Sequence, residues 1–339
     1  METRKLGQDL SVSALGYGCM GLSHAYGEAL DEKEAVRVLR EAFEAGYTFF
    51  DTAEVYGTED DPHVNERLVG EALKEVRDKV QIATKFGIRF DLASSKRPYP
   101  LIPDSRPETI RRSVEGSLKR LRTDHIDLYF QHRIDPQVEP EIVAGVMADL
   151  IKEGKILHWG ISEANKNYLR RAHAVCPVTA VENRYSMMVR HYEALFPVLE
   201  ELGVGLVAFS PMANGLLTGK YGKGEHFDAK VDYRATMPQF TDEAMDQNRA
   251  LFALLDDLAA RKNATPAQIS LAWMLCKKPW IVPIPGSRHP ERLRENAGAA
   301  DVMLSHEEVM AIDEALDGVE MSQVFGGTEI KQTSVERMK

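Results

Sequence analysis

The sequence has few cysteines, no long apolar run and no excess of positive charge, and each absence excludes a class of protein. The three cysteines, Cys19, Cys176 and Cys276, are far apart and odd in number, so they predict neither a disulfide framework nor a paired-cysteine zinc site. No stretch approaches the ~18 apolar residues of a membrane-spanning helix, and residues 1–9 lack the apolar core of a signal peptide. We therefore expect a cytoplasmic protein that does not contact a membrane.

Acidic side chains outnumber basic ones, 52 to 42, which gives a net charge of −10. This balance argues against a nucleic-acid or anionic-membrane surface. Hydrophobic residues make up 44% of the 339 residues, enough for a large core. No two of the ten histidines have the spacing of a zinc-binding helix, so we expect no metal. The oligomeric state stays open.

Strand-like and helix-like segments alternate along the chain. Residues 1–13 predict a hairpin broken at Gly7, which could close one end of a barrel. Eight buried strands are predicted, at 14–17, 48–50, 80–84, 126–130, 156–161, 179–181, 205–209 and 281–284. Amphipathic helices are predicted between them, at 31–45, 65–74, 107–121, 141–152, 192–202 and 266–276, with Asp31 or Ser105 as possible N-caps. Eight such units favour a closed (β/α)8 TIM barrel.

The remaining segments extend this barrel. The stretches 86–106 and 213–241 follow strands and are long for loops, so we expect them to act as lids on the catalytic side, with disordered insertions as the alternative. An extra helix is predicted over 242–261 after the seventh strand, followed later by a C-terminal helix and tail. We interpret residues 1–339 as one domain with a variable tail at 317–339. Gly16, Gly18 and Gly21 have GxGxxG spacing, which leaves an open Rossmann sheet as the alternative fold.

Polar side chains end three consecutive predicted strands. Asp51 ends the second strand, Lys85 the third and His132 the fourth, and Tyr56 follows Asp51 closely. A nearby ammonium favours the ionised form of a tyrosine and lowers its pKa, while a carboxylate holds the lysine charged. Each residue alone could be a helix cap, an exposed charge or a core histidine. Together at one end of the barrel, they suit proton delivery to a carbonyl oxygen that gains negative charge.

The segments around these residues resemble the aldo-keto reductase family, in its bacterial and plant branch. The similar segments are 51–57, 66–73, 83–85, 127–132, 160–162, 210–220 and 283–296, in family order, and the resemblance spans residues 3–316. It implies a (β/α)8 barrel that binds NADP(H) in an extended form without a Rossmann domain. It also implies an oxidoreductase that converts aldehydes or ketones to alcohols, or the reverse.

The resemblance assigns roles to individual residues. Tyr56 would be the proton donor, tuned by Lys85 and Asp51, and His132 would orient the substrate carbonyl. His24 and Tyr26 are further candidate substrate contacts, and Tyr129, Phe90 and Tyr221 could line the same region. The substrate itself stays open, as does the direction of the reaction in the cell.

The implied cofactor contacts run along the strand ends. Ser162 would hold the nicotinamide carboxamide, Phe209 would stack on the ring, and Cys19 and Met20 would border the ribose. The pyrophosphate would be lined by Ser210, Pro211, Met212, Asn214 and Lys220. The adenosine 2′-phosphate would be surrounded by Gly286, Ser287, Arg288 and Arg292, and the adenine by Glu295 and Asn296. Two guanidiniums beside a glycine and a helix start suit a phosphate, which favours NADP(H) over NAD(H).

Three positions depart from the family pattern. Glu182 stands where glutamine is usual; a carboxylate there could accept from the carboxamide but not donate, and its charge would favour NADP+ over NADPH. Glu163 replaces a frequent asparagine, and Gly286 a frequent lysine.

Two other functions remain possible on the same fold. Potassium-channel β-subunits resemble this family and bind NADPH as regulatory modules, but their pattern usually lacks the histidine at position 132. A barrel lyase with Lys85 as a Schiff-base nucleophile is the second alternative, and it would leave Tyr56, Arg288 and Arg292 without roles.

Overall fold

The computed structural model describes residues 1–58, 60–95 and 99–326. The strands are, in chain order, β1 Thr3–Leu6, β2 Leu10–Ser13, β3 Tyr17–Gly18, β4 Phe49–Asp51, β5 Gln81–Phe86, β6 Ile88–Phe90, β7 Leu101–Pro103, β8 Ile126–Gln131, β9 Ile156–Ser162, β10 Ala180–Arg184, β11 Gly205–Phe209 and β12 Ile281–Pro283. The α-helices are α1 Glu32–Glu44, α2 Val64–Leu73, α3 Pro107–Leu121, α4 Pro140–Lys152, α5 Lys166–Val175, α6 Phe196–Leu202, α7 Asp242–Gln247, α8 Arg249–Lys262, α9 Pro266–Lys277, α10 Pro290–Ala297 and α11 His306–Asp317. Within the described ranges, no helix is long and apolar enough to cross a membrane.

One eight-stranded parallel sheet forms the centre of the molecule, in the order β3-β4-β5-β8-β9-β10-β11-β12. The sheet closes on itself, because the Gly16 N–H donates to the Pro283 carbonyl at 2.9 Å and the Gly18 N–H to the Pro285 carbonyl at 3.3 Å. A closed ring of parallel strands that alternate with helices is a (β/α)8 barrel. The predicted fold class is confirmed, and the open Rossmann alternative is wrong.

The helices form where the apolar spacing predicts them. In α1 the buried residues are Ala35, Val38, Leu39 and Ala42, a stripe that faces the barrel at helical spacing. Asp31 caps this helix by accepting from the Glu34 N–H at 2.9 Å, as expected.

The expected cap at Ser105 is wrong. Helix α3 has Pro107 in its first turn and Arg106 as its N-cap, so Ser105 lies one residue too early. Its N–H instead donates to Asp135 Oδ2 at 2.9 Å, and its hydroxyl accepts from Gln131 Nε2 at 3.0 Å. Ser105 therefore ties the loop before α3 to the end of β8.

The N-terminal hairpin closes the barrel at the end where the strands begin. Strands β1 and β2 pair antiparallel, and Leu6, Leu10 and Val12 are buried among the side chains inside the barrel. Leu6 covers Gly205, the first residue of β11, where an added Cβ would lie 2.5 Å from Leu6 Cδ2. The predicted hairpin is confirmed, and it leaves the opposite end, where the strands finish, open to form a site.

The long segments have more structure than predicted. The stretch 86–106 contains the antiparallel hairpin β6–β7, whose three-residue strands are too short to show an alternating pattern. The single helix expected over 242–261 is two helices, α7 and α8, with a break at Asn248. The side chain of Asn248 accepts from the Ser322 N–H at 2.9 Å and donates to the Ser322 hydroxyl oxygen at 2.8 Å. Residues 318–326 follow α11, and the rest of the predicted tail lies outside the described residues.

Two glycines provide a matched test of this packing. A Cβ added to Gly160 in β9 would meet the ring of Phe130 and lie 2.5 Å from the Ala180 carbonyl oxygen. We expect Gly160→Ala to lower the free energy of unfolding by about 1–3 kcal/mol, because the tightly packed barrel interior must shift. The measurement is urea unfolding followed by circular dichroism.

The control is Gly145→Ala on α4, where no described residue lies within 4 Å of an added Cβ. This change should raise the free energy of unfolding by roughly 0.5–1 kcal/mol through helix propensity. Equal effects of the two substitutions would contradict the proposed packing of the barrel interior.

Candidate active site

The carboxyl-terminal ends of the barrel strands surround a cavity of about 570 Å³. Asp51 is the last residue of β4, Ser162 the last of β9, and Glu182 lies in β10; His132 directly follows β8. All four line the cavity. Parallel strands bring their ends to one face of a barrel, which is why side chains distant in sequence meet here.

A buried cluster of charges lies at the base of the cavity. Lys85 in β5 is fully buried, and its ammonium donates to Asp51 Oδ1 at 2.5 Å and to the Thr52 carbonyl at 2.9 Å. A second carboxylate, that of Glu182, lies with Oε1 at 3.3 Å from Lys85 Nζ. Two carboxylates thus share one ammonium where water is excluded.

Burial and mutual charge shift the protonation of this cluster. Burial raises the pKa of Glu182 to about 8, and the charge of Asp51 adds to the increase. Burial also raises the pKa of Asp51, against the effect of Lys85. For Lys85, burial lowers the pKa, but the charges of Asp51 and Glu182 outweigh it, and the pKa is above its ordinary value. The ammonium stays charged, and at neutral pH one proton resides on the carboxyl pair.

Tyr56 stands above this cluster. Its ring centroid lies 5.1 Å from Lys85 Nζ and 5.6 Å from the His132 ring centroid, with the two rings nearly perpendicular. The Ser23 hydroxyl donates to the Tyr56 carbonyl at 2.8 Å and fixes the turn that carries the ring. Burial raises the pKa of Tyr56 above its ordinary value, while Lys85 lowers it. The charge of Lys85 lowers the pKa of Tyr56, as the sequence predicts, but burial raises this pKa by more.

His132 is held neutral beside Tyr56. Its backbone N–H donates to the Phe86 carbonyl at 2.8 Å. Burial, followed by the charges of Arg133 and Lys85, lowers the pKa of His132 well below its ordinary value. Its Nδ1 and the Oε2 of Glu182 are buried and have no hydrogen-bond partner among the residues that the structure describes. A neutral imidazole can donate one hydrogen bond and accept another.

Most of the residues expected at a cofactor line this cavity: Met20, Asp51, Ser162, Glu182, Phe209, Ser210, Pro211, Met212, Asn214, Lys220, Gly286, Ser287, Arg288, Arg292, Glu295 and Asn296. Of the expected cofactor contacts, Cys19 does not line the cavity. Cys19 is fully buried, and its N–H donates to the Asp51 carbonyl at 2.8 Å. This hydrogen bond helps to fix the backbone of Asp51.

The loop after β11 has an unusual backbone. Ser210, Ala213 and Asn214 have φ angles of 49°, 48° and 61°, which residues with a side chain rarely adopt. Such conformations carry strain and concentrate at functional sites. Asn214 is held by its own hydrogen bond to the Tyr26 hydroxyl, at 2.7 Å.

Basic side chains at the far end of the cavity differ in their partners. Arg292 and Lys220 both approach Glu295 Oε2, at 2.6 and 3.4 Å. Among the described residues, Arg288 donates to backbone carbonyls alone, those of Gly21, Glu28 and Gly27. Its charge is therefore available to an anion, whereas that of Arg292 is already balanced.

The expected substrate contacts His24 and Tyr26 line the cavity, and so do Phe90 and Tyr221. The His24 ring centroid lies 6.3 Å from that of Tyr56. Tyr129 does not; it is fully buried, with its ring centroid 4.9 Å from that of Phe86. Its position in β8 points it between the barrel and the helices.

Sequence reasoning missed several cavity residues: Arg133, Arg184, Tyr99, Leu101, Tyr233, Arg234 and Phe325. Arg133 and Arg184 follow predicted site residues by one and two positions, so their place at strand ends could have indicated them. The others lie on long segments whose path a sequence pattern does not define.

Comparison with known proteins gives the family of this chain. The model of the aldo/keto reductase family matches residues 14–317. The chain belongs to the aldo/keto reductase family. It is 42% identical over 327 residues to a probable aldo-keto reductase 1 from Glycine max, covering 95% of this chain and 90% of the relative. It is 40% identical over 323 residues to the aldo-keto reductase str7 from Strobilurus tenacellus, covering 92% and 91%.

Solved structures of aldo/keto reductases share the fold. A glycerol dehydrogenase from Gluconobacter oxydans superposes with a TM-score of 0.84 at 26% identity, over 96% of this chain and 98% of the other. An aldo-keto reductase from Bacillus halodurans, in its holo form, superposes with a TM-score of 0.75 at 27% identity, over the same shares of the two chains, 96% and 98%. This aldo/keto reductase is therefore an oxidoreductase.

The buried carboxyl pair predicts a pH dependence of stability. The folded pKa of Glu182, about 8, exceeds the ordinary value of roughly 4.3. Its contribution to stability is therefore complete below the ordinary pKa and is lost as pH rises through the folded pKa. Glu182→Gln cannot ionise, so its free energy of unfolding relative to wild type should rise on the order of 2 kcal/mol between about pH 5 and pH 8.5.

The measurement is urea unfolding of both proteins across this pH range. Glu291→Gln is the control, because the Glu291 side chain is 65% exposed. If the difference between wild type and Glu182→Gln stays constant with pH, Glu182 does not hold the proton.

Proposed function

We propose that this aldo/keto reductase uses NADP(H) to interconvert aldehydes or ketones with alcohols. The observation that carries the proposal is the grouping of Tyr56 and His132 over the buried ammonium of Lys85, at the base of a cavity that extends to Arg288. A proton donor and an anion-binding group at the two ends of one cavity suit a long, anionic redox cofactor.

The residues present fit NADP(H). Glu182 Oε2 is a buried polar atom with no hydrogen-bond partner in the described part of the chain, so it is available to the nicotinamide carboxamide beside Ser162. The strained loop 210–215 presents backbone groups to the pyrophosphate, and Arg288 offers its charge to the adenosine 2′-phosphate. When bound, NADPH supplies the hydride that reduces the carbonyl carbon.

The side chains of this chain supply the proton. Tyr56 donates its phenolic proton to the substrate oxygen as negative charge develops there, and the ammonium of Lys85 stabilises the phenolate that remains. Asp51 keeps that ammonium in place. His132 is neutral, so it can donate a hydrogen bond to the carbonyl oxygen and orient it without being a competing acid.

Glu182 acts here as a protonated acid at neutral pH. Its raised pKa, about 8, means that the carboxyl can both donate and accept, as a glutamine would. The charge effect expected from the sequence, a preference for NADP+, would then appear only above that pH.

The Schiff-base lyase and the regulatory module fit the site less well than carbonyl reduction does. A Schiff-base lyase needs an accessible lysine, but Lys85 is fully buried and donates to Asp51 and to the Thr52 carbonyl. A purely regulatory module would not require a neutral histidine beside the tyrosine at the base of the cavity.

Replacing the tyrosine tests the proton donor. Tyr56→Phe should lower kcat/KM for 4-nitrobenzaldehyde by roughly 10²–10⁴-fold, because a general acid contributes that much. The assay follows NADPH consumption, and NADPH binding is measured separately by fluorescence quenching.

Tyr168→Phe is the control, since that hydroxyl bonds Gln131 at 2.9 Å and lies outside the cavity. Binding of NADPH should persist in both variants. Substantial turnover by Tyr56→Phe would show that another group donates the proton, and binding without turnover in wild type would favour a regulatory module.

Replacing the unpaired arginine tests the choice of coenzyme. Arg288→Gln should weaken NADPH binding by about 10–100-fold and leave NADH binding nearly unchanged, because the lost charge-assisted hydrogen bonds involve only the 2′-phosphate. Titration of fluorescence quenching with each coenzyme gives both dissociation constants. Arg292→Gln, with its charge already paired to Glu295, should have a smaller effect. Equal weakening of both coenzymes by Arg288→Gln would contradict the assignment.

A further inference from the structure

Arg133 and Arg184 line the cavity without forming an ion pair with any carboxylate in the described part of the chain. In residues 1–58, 60–95 and 99–326, neither Arg133 nor Arg184 forms an ion pair, and their hydrogen bonds go to neutral groups. Arg133 Nη1 donates to the His132 carbonyl at 2.6 Å and to Ser162 Oγ at 3.2 Å. Arg184 Nη1 donates to the Phe325 carbonyl at 2.5 Å. Each guanidinium carries five N–H donors, so several remain free.

This lack of partners is unusual for the molecule. Partly buried arginines elsewhere are better satisfied. Arg77 pairs with Asp127, Arg120 with Glu66, and Arg234, in the same cavity, with Asp232, while Arg4 and Arg288 each donate to three backbone carbonyls. Carboxylates are plentiful, with 52 acidic residues against 42 basic ones. A pair of guanidiniums left without carboxylates in a cavity therefore needs another explanation.

Leaving these charges unpaired is unfavourable for the protein alone. Both side chains are half-buried, and desolvating a charge without a counter-ion is costly. Burial lowers the pKa of Arg184; the charge of Glu163 opposes this decrease, and the positive charge of Arg133 adds to it. Glu163 does not form an ion pair with Arg184, and its Oε2 accepts from the Tyr192 hydroxyl at 2.6 Å. An anion bound by both guanidiniums would offset the burial and the repulsion between the two cations.

Arg133 and Arg184 contact different parts of the cavity from Arg288. Arg133 directly follows His132, and its charge acts on both Tyr56 and Glu182. Arg184 is paired in register with Phe209, and its guanidinium lies 5.4 Å from the Phe209 ring centroid. The pair thus lies beside the groups proposed to react with the carbonyl, whereas Arg288 contacts a different segment of the chain, at Gly21, Gly27 and Glu28.

We propose that Arg133 and Arg184 form a carboxylate-binding subsite, so that the substrates are aldehydes or ketones that also carry a carboxylate. This inference rests on the carbonyl reduction proposed above. Planar guanidinium groups match the geometry of a carboxylate. The apolar cavity residues that could hold the carbon skeleton between the carbonyl and the carboxylate are Val55, Ile88, Phe90 and Leu101.

A matched pair of substrates tests the subsite in the wild-type enzyme. 4-Formylbenzoate carries the carboxylate, and methyl 4-formylbenzoate is its neutral ester with the same reacting aldehyde. With NADPH as coenzyme, we expect kcat/KM to favour the carboxylate by at least about tenfold, mainly through KM, because charge-assisted hydrogen bonds hold it. In Arg184→Gln this ratio should fall towards one.

Arg111→Gln controls for the change in net charge, since Arg111 is an exposed residue paired with Glu153 and Asp149 on the outer helices; its ratio should equal that of wild type. A second readout does not need turnover. In the presence of NADP+, 4-(hydroxymethyl)benzoate should raise the melting temperature of wild type but not of Arg184→Gln.

The outcomes separate this inference from the proposed reaction. If both aldehydes are reduced equally well and 4-(hydroxymethyl)benzoate gives no thermal shift, the carboxylate subsite is wrong while carbonyl reduction stands. If neither aldehyde is reduced but the thermal shift occurs in wild type alone, the subsite stands and the proposed reaction is wrong. Loss of NADP+ binding in Arg184→Gln would place the arginine at the cofactor instead and overturn the subsite.

Discussion

The ammonium of Lys85 is buried at the base of the cavity, and carboxylates from two other strands balance its charge. An unpaired charge in this position would be strongly destabilising. The registers of β4, β5 and β10 must therefore keep Asp51, Lys85 and Glu182 on the inner side of the barrel, because a shift of one residue would turn a side chain to the other face. Stability and chemistry impose the same constraint here, and Tyr56, His132 and the cavity are positioned relative to this charge.

The alternation of short apolar runs with amphipathic helices was sufficient to predict the barrel. The bounds of Gly205–Phe209 agree with the prediction because a valine- and leucine-rich run is bounded there by glycine and serine. The first barrel strand begins later than the sequence predicts, since the apolar run at 14–17 precedes most of the residues that pair with β4. Hairpin β6–β7 is not predictable from the sequence, because strands of three residues are too short to show an alternating pattern. The break at Asn248 depends on Ser322, which is distant in sequence.

The site was predictable to the extent that its residues follow strands. Asp51, Lys85 and His132 stand at strand ends, where side chains of a barrel converge, and Tyr56 lies one short turn beyond. Tyr129 is expected near the cavity but faces away from it, because the side chains of a strand alternate between its two faces. Cys19 directly follows β3 and is fully buried, with its thiol donating to the Tyr17 carbonyl at 3.6 Å. The significance of Arg133 and Arg184 lies in the partners that they lack, and a sequence does not display missing contacts. For the same reason the raised pKa of Glu182 was unforeseen: it depends on burial next to Asp51.

The N-terminal hairpin closes the core at one end of the barrel, which leaves the other end for the cavity. Leu6, Leu10 and Val12 complete the hydrophobic core at the end of the barrel away from the reacting groups. The β6–β7 hairpin borders the cavity at the other end, and its residues lie outside both hydrophobic clusters. We therefore expect mutations in this hairpin to alter which molecules are accepted with little effect on the folding of the barrel. A lineage could diversify its substrates in this way, or an engineer could exchange this segment between relatives. The cavity end of the barrel can change because the N-terminal hairpin closes the core at the other end.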